Sequence, residues 1–164
     1  MKIALATDHA GVDALKNLQA FLTAQGHECV NFGPTSLDLT DDYPDSIRPA
    51  AEAVAKGGCD MGIIMGGSGQ GEAIVANRVP GARAAVYYGP ATTMGAIDAE
   101  GTHAQDQYEI IRLSRQHNDA NILSLAIRFL SRADIEAAVT LWLATPFSGV
   151  ERHQRRINKI DGKA

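Results

Sequence analysis

Sulfur is scarce in this chain of 164 residues, and its two cysteines, Cys29 and Cys59, stand in no metal-binding or redox spacing. No run of apolar residues approaches the length needed to cross a bilayer. The opening Met1-Lys2-Ile3-Ala4-Leu5-Ala6-Thr7-Asp8 meets an acidic residue before it can build the apolar core of a signal peptide. Together these absences lead to the expectation of a cytoplasmic protein with two reduced thiols and no membrane partner. No repeat or low-complexity stretch interrupts the chain, so a single domain over 1–164 is expected. Positive charge is also in deficit, with a net charge of −4. It is densest at the end, where Arg152, Arg155, Arg156, Lys159 and Lys163 face only Glu151 and Asp161. Without interleaved aromatics so small a basic segment argues against a nucleic-acid partner. A solvated helix end and an anion clamp both stay open.

What is present is an alternation of short apolar runs and helical patterns. Residues 2–7 read as a buried strand, and Leu15, Leu18, Phe21 and Leu22 fall at helical spacing before a stop at Gly26. Further strands are expected at 28–32, 61–65, 82–87 and 121–126, and helices at 46–56, from Glu72, at 132–144 and from about Val150. A polar loop is expected at 34–44. This pattern predicts an α/β fold, a three-layer Rossmann-like domain with a five-stranded parallel sheet covered on both faces. Ligands in such folds bind beyond the C-terminal ends of the strands. That rule selects Asp8-His9, the region of Tyr43, the glycine loop Gly66-Gly67-Ser68-Gly69-Gln70-Gly71, and the approach to His117. Residues 89–113 form a long connection, expected at the mouth of a site or at an interface, with Tyr108, Ile110 and Ile111 packed inward.

The glycine loop carries most of the chemical information. Gly67, Gly69 and Gly71 let the backbone bend tightly and present successive N–H groups to an anion. A nucleotide-binding loop would continue with lysine and a hydroxyl residue, but Glu72 and Ala73 follow. A dinucleotide fingerprint belongs after the first strand of its unit and keeps two residues before its last glycine; here one stands there. A hydrolase elbow would need glycine where Gln70 stands. An anion hole with a carboxylate beside it remains. Glu72 then reads either as a proton-transferring base or as a partner of the helix dipole. Arg152 and Arg156 share one helix face, suited to a phosphate dianion or to solvent. Val150, His153, Ile157 and Ile160 make an adjoining stripe suited to packing on a neighbour.

In combination these segments resemble the family of ribose-5-phosphate isomerase B and the galactose-6-phosphate isomerase subunits. The resemblance rests on Asp8-His9-Ala10-Gly11, Asp42-Tyr43-Pro44, Gly67 to Glu72, Ala76-Asn77, Gly81-Ala82-Arg83, Ser114 to Asn121, and Arg152-His153-Gln154-Arg155-Arg156. It implies that Asp8, His9 and Tyr43 meet the sugar phosphate and that Gly67, Ser68, Gly69, Gln70 and Gly71 form the anion hole. It also implies that His117 opens the furanose ring, that Asn118 binds substrate oxygens, and that Arg128, Arg152 and Arg156 hold the phosphate. Family members are dimers with shared sites, so the C-terminal extension at 146–164 is expected to reach a neighbouring subunit, in a homodimer or a dimer of dimers.

Two departures qualify the resemblance. Some members carry a catalytic cysteine just before the glycine loop, where this chain has Gly66; Glu72 matches the branch that uses glutamate as base. The connection at 89–113 is longer than the family usually has. The expected reaction is aldose–ketose isomerisation of ribose 5-phosphate without metal or organic cofactor, with Glu72 as base, His117 as ring-opening acid and Ser68 relaying protons. A six-carbon sugar phosphate such as allose or galactose 6-phosphate, a non-catalytic sugar-phosphate sensor, and a hydrolase using Ser68 and His117 are the alternatives.

Overall fold

The computed structural model describes residues 1–163. Five short strands form one parallel sheet: β1 (Lys2–Ala6), β2 (Glu28–Asn31), β3 (Met61–Gly66), β4 (Ala84–Tyr87) and β5 (Ile122–Ala126), in the order β2-β1-β3-β5-β4. Their side chains alternate between two cores, as the period of two in a strand requires. Ile3, Leu5, Ile63, Met65, Leu123 and Leu125 face one core. It is completed by Leu15, Leu18 and Leu22 of α1 (Val12–Ala24), Ile111 of α4 (Glu109–Gln116), and Ile135, Val139 and Trp142 of α5 (Arg132–Ala144). Ala4, Ala6, Ile64 and Ile122 face the other, against Ile47, Ala50, Ala51 and Val54 of α2 (Tyr43–Ala55) and Val75 and Ala76 of α3 (Gln70–Ala76). Burial on both faces explains why these strands read as continuous apolar runs. The final helix, α6, spans Glu151–Ile160.

Connections leave β1 toward β2 on one side and reach β3 on the other, so a crevice opens beyond the C-terminal ends of β1 and β3. Two elements depart from expectation. Pro44 lies in the first turn of α2, a position proline favours because its missing N–H has no partner there anyway. The helix therefore begins at Tyr43, inside the stretch expected as loop. The long connection ends in the helix Glu109–Gln116, and only Ile111 among its apolar side chains is buried, beside Glu109 and Arg115. Tyr108 packs against the core, but Ile110 is 53 % exposed, contrary to expectation. The helix turns it outward, one position from the buried Ile111.

Candidate active site

The crevice holds a cleft of about 490 Å³ lined by Asp8, His9, Tyr43, Gly67, Ser68, Gly71, Glu72 and Arg128, with Ala10 and Phe129. Asp8 caps the 3₁₀ turn His9–Gly11 that follows β1, accepting the N–H of Ala10 at 3.0 Å. His9 Nδ1 lies 2.6 Å from Asp41 Oδ1, and the His9 backbone N–H donates to the same oxygen at 3.1 Å. The hydrogen bond to Asp41 raises the His9 pKa above its ordinary value, opposed by partial desolvation. Asp8, His9 and Asp41 bring three potential ligand atoms within 4.8 Å of one another, a group that spacing in the sequence does not suggest. Here Asp41 pairs with His9 while Asp8 accepts from Ala10, so the arrangement orients His9.

The glycine loop is pinned to β5. Ser124 Oγ donates to the carbonyl of Gly69 at 2.6 Å, and the N–H groups of Ile127 and Arg128 donate to the carbonyls of Gly66 and Gly67. Gly69 turns the chain with a positive φ of 71°, where a Cβ would also meet the Leu125 backbone at 3.1 Å. The Arg128 guanidinium lies against Gly67, and the Tyr43 ring against Gly71. Among the described residues, the N–H groups of Gly67, Ser68, Gly69 and Gly71 have no acceptor. Gly69 and Gln70 shape the loop without lining the cleft, and Gln70 is exposed.

Glu72, in the first turn of α3, is 5 % exposed. Its carboxylate lies on the α-carbon of Gly66: a Cβ added there would sit 1.9 Å from Glu72 Oε1 and 2.1 Å from Cδ. Any side chain at 66 would overlap the carboxylate, so a cysteine before the loop and this placement of Glu72 exclude each other. Burial raises the Glu72 pKa above its ordinary value; its own backbone N–H opposes this, and the negative Asp8 adds to it.

His117, Arg152 and Arg156 lie elsewhere. They line a second cleft of about 360 Å³ with Ile97, Asp98, Ala99 and His153, and the two clefts share no residue. Within one chain, therefore, His117 does not meet the glycine loop. His117 precedes β5 whereas Arg128 follows it, so the two lie at opposite ends of a strand roughly 15 Å long. Arg128 is likewise separated from Arg152 and Arg156. Asn118 is exposed and lines neither cleft, and its carbonyl accepts from Arg83 Nε at 3.2 Å. Arg83 and Arg115 both pair with Asp119, whose positive φ of 43° turns the chain just after His117.

His117 and His153 stack with ring centroids 4.2 Å apart. His153 is 3 % exposed and Ile157 is buried too, so half of the stripe expected to face a neighbour packs within its own chain; Val150 and Ile160 remain exposed. Burial lowers the His117 pKa, with His153 and Arg152 acting in the same direction and Asp98 opposing. His153, Asp98 and Asp41 are cleft or supporting residues that the sequence reading did not single out for these places.

Comparison with known proteins identifies the family. The family model described as Ribose/Galactose Isomerase matches residues 3–105 and 100–160, its two segments meeting inside the long connection. The chain is similar to ribose-5-phosphate isomerase B of Mycolicibacterium paratuberculosis, 35% identical over 158 residues covering 96% of this chain and 88% of the relative. It is 34% identical to that of Escherichia coli, over 97% of this chain and 93% of the relative. Among solved structures, ribose-5-phosphate isomerase B of Clostridium thermocellum superposes with a TM-score of 0.84 at 37% identity, covering 99% of this chain and 96% of that one. The Mycoplasma genitalium enzyme with bound ribulose-5-phosphate gives 0.83 at 33% identity, over 98% and 94%.

Proposed function

The chain belongs to the ribose/galactose isomerase family, and from that premise we propose that it interconverts ribose 5-phosphate and ribulose 5-phosphate in a site made by two copies. The observation that carries this reading is the buried Glu72 carboxylate, its pKa raised, set beside a loop of unpartnered N–H groups. A base that removes a proton from carbon works best when its pKa approaches the working pH. Free N–H groups stabilise the oxyanion that forms as the proton leaves. The separation of the two clefts supports the shared site: the Glu72 cleft of one copy faces the His117 cleft of another.

In this scheme Arg152 and Arg156 hold the phosphate, with Arg128 reaching it from the facing cleft, while Asp8, His9 and Tyr43 contact the sugar and Asn118 its oxygens. His117 delivers a proton to the ring oxygen as the hemiacetal opens. Its lowered pKa makes the imidazolium a readier donor while reducing its population. Glu72 takes the proton from C2 of the open aldose, and Gly67 to Gly71 receive the enediolate. Ser68 moves a proton from O2 to O1, and Glu72 returns its proton to C1, leaving the ketose. A sugar-phosphate sensor fits less well, because a buried carboxylate beside an anion hole weakens anion binding. Incubation with ribose 5-phosphate in deuterated water tests the reading: ribulose 5-phosphate carrying deuterium at C1 is expected. Faster turnover of a six-carbon phosphate, or no turnover of either, would overturn it.

A further inference from the structure

The long connection between β4 and α4 is folded back on itself rather than open. The Ala91 N–H donates to the Gln107 carbonyl at 2.8 Å and closes its base. At its tip the Ile97 N–H donates to the Thr102 carbonyl at 2.8 Å, and Asp98 Oδ1 accepts the N–H groups of Glu100 and Thr102 at 3.0 and 2.9 Å. Gly101, with a φ of 84°, completes the turn. This tip forms the wall of the His117 cleft through Ile97, Asp98 and Ala99. From it Glu100 projects onto Arg152, Oε1 to one terminal guanidinium nitrogen and Oε2 to the other, the second contact at 2.9 Å. Arg156, one turn further along α6, has no ion-pair partner among the described residues.

A two-pronged contact with both terminal nitrogens is the geometry by which arginine grips either a carboxylate or a phosphate. The same edge of Arg152 cannot serve both. We propose that Glu100 is a specificity-determining residue of the phosphate clamp, a resident carboxylate that an incoming anion must displace from Arg152. A ligand with one negative charge exchanges like for like and gains little. A phosphate dianion gains from its second charge and from Arg156 beside it. The connection thereby raises the charge threshold for entry to the cleft, at the expense of affinity. This rests on reading Arg152 and Arg156 as the phosphate clamp.

The test uses inorganic phosphate as probe, measured as a competitive inhibitor of isomerisation and by calorimetric titration of the intact protein. Glu100→Gln keeps the side chain's size and removes its charge. Glu151→Gln is the control, since Glu151 lies on the same helix as Arg152 but pairs with Arg155. Removing Glu100's charge should tighten phosphate about three- to tenfold, lower KM for ribose 5-phosphate in proportion and leave kcat within about twofold. Glu151→Gln should change phosphate affinity by less than about twofold. Arg152→Gln should weaken phosphate, and adding Glu100→Gln to it should give no further tightening. If Arg152→Gln weakens phosphate but Glu100→Gln tightens it no more than Glu151→Gln does, the displacement proposal falls and the clamp stands. If Arg152→Gln leaves phosphate affinity unchanged, the clamp reading itself fails, and the proposal with it.

Discussion

Gly66→Ala is the smallest change that separates a catalytic from a structural role for Glu72. The new methyl carbon would lie 1.9 Å from Glu72 Oε1, 2.1 Å from Cδ and 2.6 Å from Oε2. Ordinary van der Waals contact needs about 3.4 Å or more, so the carboxylate must move by more than an ångström or the backbone must yield. Strand β3 is buried and paired on both sides, at Met65–Leu125 and Gly66–Ala126 on one of them, so the side chain is the part that gives way. Overpacking of this kind costs about 1–3 kcal/mol, which for a chain of this size lowers Tm by roughly 2–12 °C. Moving the base off the reacting carbon should reduce kcat by about 10²–10⁴-fold, the usual contribution of general-base catalysis. KM should change little, because Arg152 and Arg156, the proposed phosphate clamp, lie in the other cleft. Glu72→Ala in the same background should restore Tm without restoring turnover, a non-additive pair as expected for groups competing for one volume. Thermal unfolding with steady-state kinetics reads both effects. Gly66→Ala with native Tm and turnover would refute this placement of the carboxylate and its role.

Because burial raises the Glu72 pKa, kcat/KM should rise with pH on a limb lying above the ordinary glutamate range, and Glu72→Gln should abolish that limb. The sign for stability is opposite: with its folded pKa raised, Glu72 contributes most when protonated, and that contribution is lost as pH rises through the folded value. Denaturant unfolding at pH 8 should therefore find Glu72→Gln at least as stable as the parent; a clear loss of stability would contradict the burial argument. Asp41→Asn should lower the His9 pKa toward 6.5, read by proton NMR titration, and raise KM several-fold with little change in kcat. An unmoved His9 titration would show that Asp41 does not hold it.

Most of the sheet is legible in the chain because its strands are buried on both faces and bounded by glycine or polar residues. Met61-Gly62-Ile63-Ile64-Met65 and Ile122 to Ala126 leave no other reading. Short α4 is not legible: Glu109 and Arg115 occupy buried positions where periodicity looks for apolar residues, Arg115 being satisfied by Asp119 and the carbonyls of Ala120 and Thr145. The start of α2 was obscured by Pro44, which marks a loop as readily as a first helical turn. The cleft that holds Asp8, the glycine loop and Glu72 is legible because these residues sit directly after strands, where the fold gathers them. His117 is harder to place, since closeness to a strand in sequence does not tell which end of the sheet it occupies. Pairs such as Glu100–Arg152 and His9–Asp41 join residues far apart in the chain and leave no local spacing to detect.

Subunit mixing asks whether the Glu72 cleft of one copy works with the His117 cleft of another. Glu72→Gln and Arg156→Ala proteins, each nearly inactive alone, should exchange subunits when mixed in equal amounts. A hybrid dimer then holds one site carrying both lesions and one carrying neither. Random pairing of dimers should restore about a quarter of native specific activity, accumulating at the rate of subunit exchange measured by mass spectrometry. No recovery despite demonstrated exchange would place both groups in one subunit's site and contradict the account.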